Sequence, residues 1–447
     1  MFRKRVEHLL ILALFSMACR PPLSLLGQER MQVDAARKQA IVDEVSRLLN
    51  DAYVFPETAK KMEDLIRSRL KKGEYDSLSD AAGFADALSK DLLSVSKDKH
   101  LGFAFRPQMA AELVRLRSRD EVQARAARER ELADMRRENF GFRKVERLAG
   151  NIGYLDLRAF AAPSGAGATA VAAMNFLANC DAVIIDLRQN GGGDPEQIQL
   201  ISSYFFAEPT HLNDIWFRAE NRTQNFWTLP YVPGPKPVNA DLYILTSSRT
   251  FSGAEEFSYN MKNLKRATLI GETTGGGAHP TDPKIVQEKF ILRVPFARAI
   301  NPISKTNWEG TGVTPDVQTP AAQAFDRAYR MAIEKLAAKA TDPARKSELS
   351  WLLTAEDAKQ NPPRVDENTL RSYAGTYGER KVTFRAGVLF YQRNGPETRL
   401  VALTPTLFGL EGVDYFRVQF DVKDGKVTGL IGLYDNGERE PSPRTGS

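Results

Sequence analysis

The chain has 447 residues, of which 42% are hydrophobic and 26% charged, with a formal net charge of +6. That length has room for two or three domains, and the composition is globular, not disordered or collagen-like. Its basic residues alternate with acidic ones and form no aromatic-studded run, which argues against nucleic acid as a partner.

The first residues read as a leader. Arg3, Lys4 and Arg5 form a positive start, and Leu9 to Ala18 is an apolar run too short to span a bilayer. Ser16-Met17-Ala18 has the small-x-small form of a cleavage signal, so residues 1–18 are expected to be a signal peptide. Cys19 follows at once. Soluble export (periplasmic or secreted) and membrane attachment through a lipid on Cys19 are both open. The second cysteine, Cys180, precedes an apolar strand run and reads as a small core residue, so no disulfide scaffold is expected.

From Gln32 to Asp91 the apolar spacing is helical. Ile41, Val45, Leu48 and Leu49 make one stripe, Met62, Leu65, Ile66 and Leu70 a second, and Phe84, Leu88 and Leu92 a third. Three such helices can pack as a small bundle. They lead into Asp98-Lys99-His100 and the strand-like LGFAF. Arg115 to Glu138 carries eight arginines and six acidic residues, and reads as a solvated, ion-paired helix or connector.

From Gly150 the rhythm becomes α/β. Ile152–Leu157 is a strand, Ala168–Leu177 an alanine-rich helix, and Ala182–Leu187 a buried strand of the parallel type. That strand ends in Gln189-Asn190-Gly191-Gly192-Gly193. Leu242–Thr246 and Ala267–Ile270 repeat the pattern, and ligands bind beyond the carboxyl ends of such strands. Ile285–Phe296 reads as a strand pair or a long bent strand. After a closing helix near Phe325–Leu336 and a linker at Asn361-Pro362-Pro363, short strands run from Val382 to Tyr434, with a hairpin signal at Asp424-Gly425. The expected domains are helical at 30–103, a charged helical connector at 104–147, an α/β core at 148–345 and a small all-β accessory domain at 362–447.

Ser252 sits where the strand Leu242–Thr246 gives way to the helix beginning at Gly253. It reads either as an N-cap or as a nucleophile at a helix N-terminus. After leader removal three histidines remain: His100, His211 and His279. His211 sits in a loop context without a carboxylate pattern, while His279 follows a glycine loop that could reach Ser252. The spacings that mark nucleotide loops, metal clusters and the GxSxG elbow are not matched. No metal and no cofactor is expected.

Four ordered motifs carry a resemblance: DLRQNGGG (Asp186–Gly193), SSRTFSGAEEF (Ser247–Phe257), GETTGGGAHP (Gly271–Pro280) and NWEGTGVTPDV (Asn307–Val317). Together they resemble the C-terminal processing peptidase superfamily. Thr274-Gly275-Gly276-Gly277 lacks the lysine of the tail-specific proteases, and Leu101–Ala149 lacks a PDZ-like strand pattern. The chain is instead similar to the branch of the tricorn core and the interphotoreceptor retinoid-binding protein modules.

The resemblance implies an α/β core of crotonase-like type with a mixed sheet. It implies Ser252 as nucleophile, His100 as general base and Glu309 as the carboxylate, with the N–H groups of Gly192 and Gly253 as the oxyanion hole. Glu255 and His279 are reserve candidates. Lys99 stands where the tricorn core has a serine that links its histidine to the carboxylate. The implied activity is serine endopeptidase action on peptides or unfolded protein segments. The alternative is a non-catalytic binder of apolar, retinoid- or lipid-like ligands on the same fold.

Overall fold

The structure, a computed structural model, describes residues 30–118 and 120–446. The expected leader and Cys19 lie outside the described residues. Among those described, no helix is long and apolar enough to cross a membrane.

Two compact units form. The first runs up to Arg147 and takes Ile152–Phe325; the second takes Leu148–Asn151 and the chain from Asp326. The core was expected to continue to 345, but the closing helix leaves the first unit soon after it begins.

The first unit opens with three helices, α1 (Ala35–Ala52), α2 (Pro56–Lys71) and α3 (Ala81–Ser96). Asp34 and Asp80 cap α1 and α3 with their carboxylates, and Pro56 begins α2. The apolar stripes turn inward, but not onto one another alone. They cover a three-stranded antiparallel sheet in which β1 (Gly102–Phe105) pairs with β10 (Phe290–Pro295), and β10 with β9 (Thr281–Val286). Ile41, Leu49, Met62, Phe84, Leu88, Phe103, Phe290 and Leu292 share that core. The helices α4 (Pro107–Leu116) and α5 (Glu121–Arg137) fill the arginine-rich stretch, and α5 buries only Ala124 and Ala127.

The α/β part is a six-stranded sheet in the order β12-β8-β7-β4-β3-β2. Its strands are β2 (Phe142–Leu148), β3 (Ile152–Leu157), β4 (Ala182–Asp186), β7 (Asp241–Thr246), β8 (Ala267–Gly271) and β12 (Val317–Gln318). The neighbours β3 and β4, β4 and β7, β7 and β8, and β8 and β12 run parallel. The helices α6 (Pro163–Leu177), α7 (Pro195–Ser202) and α8 (Gly253–Asn263) connect them. A small antiparallel sheet of β5 (His211–Phe217), β6 (Arg222–Trp227) and β11 (Ala297–Ile300) lies in the same unit. The strand β4 is buried along its whole length, as its unbroken apolar run demands. The consequence for function is spatial. The loops after β4, β7 and β8 leave the carboxyl ends of adjacent parallel strands, so three of the four sequence motifs open on one edge of the sheet.

The second unit holds α9 (Ala324–Lys339, from Asp326), α10 (Pro343–Gln360), α11 (Glu367–Tyr373) and a closed barrel of eight strands, β13–β20 (Gly375–Gly446). The helix α10 fills a stretch that carries no clear stripe. At the turn between β18 (Val413–Lys423) and β19 (Lys426–Tyr434), Asp424 and Gly425 both have positive φ, 49° and 73°. That is the geometry a two-residue hairpin requires. Aromatic rings fill the barrel; Tyr373 stacks on Phe420 with centroids 4.1 Å apart.

Replacing Ile185, fully buried in β4, by alanine is expected to lower stability by about 2–5 kcal/mol. Urea unfolding measures it; a loss under about 1 kcal/mol would place β4 outside the packed core.

Candidate active site

Ser252 is the residue before α8, and its backbone is strained: φ is 54° and ψ −120°. For a residue with a side chain this conformation costs about 1–3 kcal/mol and persists only where the surroundings enforce it. The enforcement is visible. Glu255, fully buried, accepts the Ser252 N–H at 2.8 Å. The same carboxylate accepts the N–H groups of Gly276 at 2.6 Å and Gly277 at 2.9 Å, and the Thr274 hydroxyl. Burial pushes this carboxyl up to about 7, against the four donors that favour its ionised form. Glu255 therefore welds the serine turn to the loop after β8.

The loop after β4 closes on the same turn. Asn190, fully buried, donates to the Leu157 carbonyl at 2.9 Å, and its own carbonyl accepts the Phe251 N–H at 3.0 Å. A Cβ on Gly192 would lie 2.8 Å from Ser252 Cβ and 2.6 Å from Gly253 N, while one on Gly253 would lie 2.9 Å from Gly193 N. Only glycines let the two backbones meet this closely. Gly192, however, is not the free donor the sequence suggests. Its N–H donates to Asn190 Oδ1 at 2.8 Å. The amide nearest Gly253 that carries no such bond among the described residues is Gly193.

His100 lies at the end of the α3–β1 connection, buried. Its ring packs on Phe251, next to Ser252, with centroids 4.6 Å apart. A Cβ on Gly277 would reach 2.6 Å from His100 Nδ1 and 2.4 Å from Phe251 Cζ, so this glycine makes the space in which the two rings meet. Burial pushes the imidazole down to about 3, opposed by the Asp98 charge. His100 is thus a neutral base over the ordinary pH range.

The other expected residues fall as follows. Glu309 lies beside the His100 segment and accepts the N–H of Lys99 at 3.2 Å and of Ala278 at 2.6 Å. His279 is buried, with Nδ1 2.7 Å from Asp98 Oδ2 and 3.5 Å from Glu309 Oε2. Trp308 donates to the Gly277 carbonyl at 2.7 Å, docking the NWEG loop on the TTGGG loop. His211 pairs with Asp214 at 2.7 Å and stacks on Trp227. Lys99 turns its ammonium to the Gly275 carbonyl. Donor atoms of Asp98, His279 and Glu309 lie within 4.8 Å of one another, spacing that would suit a cation, but hydrogen bonds already engage them. Sequence reasoning passed over Asp98, Asn190 and Thr274. Asp98 stands two residues before His100, and Asn190 within the glycine motif, so each was in view without a partner to give it meaning.

Residues 151–319 match the model of Peptidase family S41. Residues 33–138 match that of the N-terminal domain of Peptidase S41 in eukaryotic IRBP. The chain belongs to peptidase family S41. Among solved structures, this S41 chain is similar to a photosystem II D1 C-terminal processing protease, at 17% identity and a TM-score of 0.43, covering 64% of this chain and 93% of that one. A lipoprotein from Streptococcus agalactiae matches at 12% identity and a TM-score of 0.44, covering 70% and 100%. Mature CPAF matches at 11% and 0.45, covering 68% and 97%. These are likenesses of shape, and nothing about the site rests on them.

The His100 environment fixes a sign for acid stability. The folded protein binds this proton only near pH 3, whereas the ordinary value is 6.5. The unfolded chain therefore binds more protons between the two, and stability falls as pH drops through that window. Relative to a His100→Gln variant, the wild type should lose stability from about pH 6.5 downward and differ by a constant amount above it. Denaturant titrations at several pH values check this; a difference independent of pH would contradict the buried, neutral imidazole.

Proposed function

We propose that this S41 chain is an exported serine endopeptidase acting on peptides or unfolded protein segments. The observation that carries the reading is the strained Ser252 turn at the N-terminus of α8, with the His100 ring against its neighbouring residue. Ser252 Oγ attacks the scissile carbonyl carbon as its proton passes to His100. The carbonyl oxygen becomes an oxyanion, received by the Gly253 N–H with the Gly193 amide as second donor in place of Gly192. The protonated His100 then gives its proton to the leaving amine as the C–N bond breaks, leaving an acyl-enzyme. Water attacks that ester, His100 takes its proton and returns it to Ser252, and the acid product leaves.

The residues assigned to this chemistry all lie in the first unit. We read the barrel as an accessory domain. The described residues between β1 and β3 form two α-helices, a short 3-10 turn (Asn139–Gly141) and β2, so capture of a free C-terminus by a PDZ device is not part of the proposal. Export rests on the leader-like sequence of residues 1–18. A binder of apolar ligands gains nothing from a strained serine turn whose preceding residue, Phe251, packs on a buried histidine, which favours the enzyme.

A fluorophosphonate probe should label the purified protein on Ser252, located by peptide mass spectrometry. The label should fall by at least ~10²-fold in a folded His100→Ala variant. No label on the folded wild type, or equal label in the variant, would overturn the assignment.

A further inference from the structure

Two carboxylates flank the buried histidines, and their bonding differs. Asp98 is 1% exposed. Its Oδ1 accepts the main-chain N–H of His100 at 3.0 Å; its Oδ2 meets His279 Nδ1 at 2.7 Å and the Tyr53 hydroxyl at 3.2 Å. These partners come from the His100 segment itself, from the loop after β8 and from the end of α1. Glu309 is engaged otherwise: one oxygen accepts the Lys99 N–H at 3.2 Å, and the other accepts the Ala278 N–H at 2.6 Å and stands 3.5 Å from His279 Nδ1. It braces two loops through their main chains.

Charge separates the two further. An imidazole that takes a proton in a buried site needs a negative charge nearby to hold it. The charged or titratable groups acting on His100 are Asp98, which favours its protonated form, and Arg293 and His279, which oppose it. Burial alone would raise Asp98, but the hydrogen bond and charge of His279 hold it below the ordinary carboxylate range. Glu309 goes the other way, raised by burial and then by the charge of Asp98. When two neighbouring carboxyls are driven apart like this, the lower one keeps the charge. Tyr53 adds a neutral donor to Asp98, its hydroxyl raised by burial and by that same charge.

We propose that Asp98 is the positioning residue that fixes His100 and supplies the negative charge for its protonated state, while Glu309 braces the surrounding loops. The proposal rests on reading Ser252 as nucleophile and His100 as base. It reassigns the carboxylate role that family resemblance gives to Glu309, and it explains how the site works with Lys99 in the place of a linking serine. Asp98 reaches His100 through main chain two residues away, so no intervening side chain is needed.

The test compares Asp98→Asn, Glu309→Gln and Asp98→Glu in the full chain. The rate of Ser252 labelling by a fluorophosphonate is followed against pH. Asp98→Asn should slow labelling by about 10²-fold or more at neutral pH and move the acid limb of the profile to lower pH, because the charge that favours the imidazolium is gone. Glu309→Gln should slow it by no more than about tenfold and leave the limb in place. Asp98→Glu, which keeps the charge but shifts it, should lose rate without moving the limb, and serves if Asp98→Asn does not fold. A Glu309→Gln variant slower than Asp98→Asn, or an Asp98→Asn loss with no shift of the limb, would overturn the proposal. Carboxyl carbon NMR gives a reading independent of catalysis: near pH 4.5, the ordinary glutamate value, Asp98 should be ionised and Glu309 protonated. The reverse order would sink the inference. Absence of labelling in the wild type with the expected NMR order would count against the nucleophile reading alone.

Discussion

The buried carboxylate of Glu255 is the constraint on which the site depends. It binds the N–H of Ser252 and three donors of the loop after β8, so the turn and the loop cannot move apart without stranding a buried charge. Through the turn it fixes the Gly192–Gly193 backbone. Through Gly277 it fixes the place where His100 meets Phe251. A non-glycine residue held at φ 54° needs that kind of surrounding force. The parallel sheet supplies the frame, since the loops after β4, β7 and β8 leave adjacent strands at the same edge.

Much of this was legible in the sequence, for physical reasons. Strands such as Ala182–Asp186 are buried on both faces and must be apolar over nearly their whole length, so they declare themselves. The helices α1–α3 bury one stripe each and show the matching period. Asp424-Gly425 announces its hairpin because few other residues take positive φ twice in succession. Helix α10 was not legible: its sequence, PARKSELSWLLTAEDAKQ, clusters its apolar residues in the middle and buries only Leu349, Glu356 and Ala358. Nor does any local pattern reveal that β10 pairs with β1, nearly two hundred residues earlier.

Within the site, the residue types were visible and their partners were not. Glu255 reads in sequence as a helix-start charge, a role that exposed glutamates also fill. Only its burial and its four donors raise it above that. The Gly192 N–H reads in sequence as an oxyanion donor, but in the structure it is bonded to Asn190 Oδ1. Family resemblance points to Glu309 as the carboxylate, and nothing local in the sequence marks Asp98 as its rival. The ranking comes from which atoms each oxygen meets.

The most direct measurement is a crystal structure of the protein carrying a phosphonate on Ser252, an analogue of the tetrahedral intermediate. The account predicts the phosphoryl oxygen about 2.7–3.1 Å from the Gly253 N–H and the Gly193 N–H, with the Ser252 backbone still at positive φ and the His100 ring facing Oγ. A phosphonate attached elsewhere, or one on Ser252 whose oxygen turns to solvent with His100 remote, would contradict it.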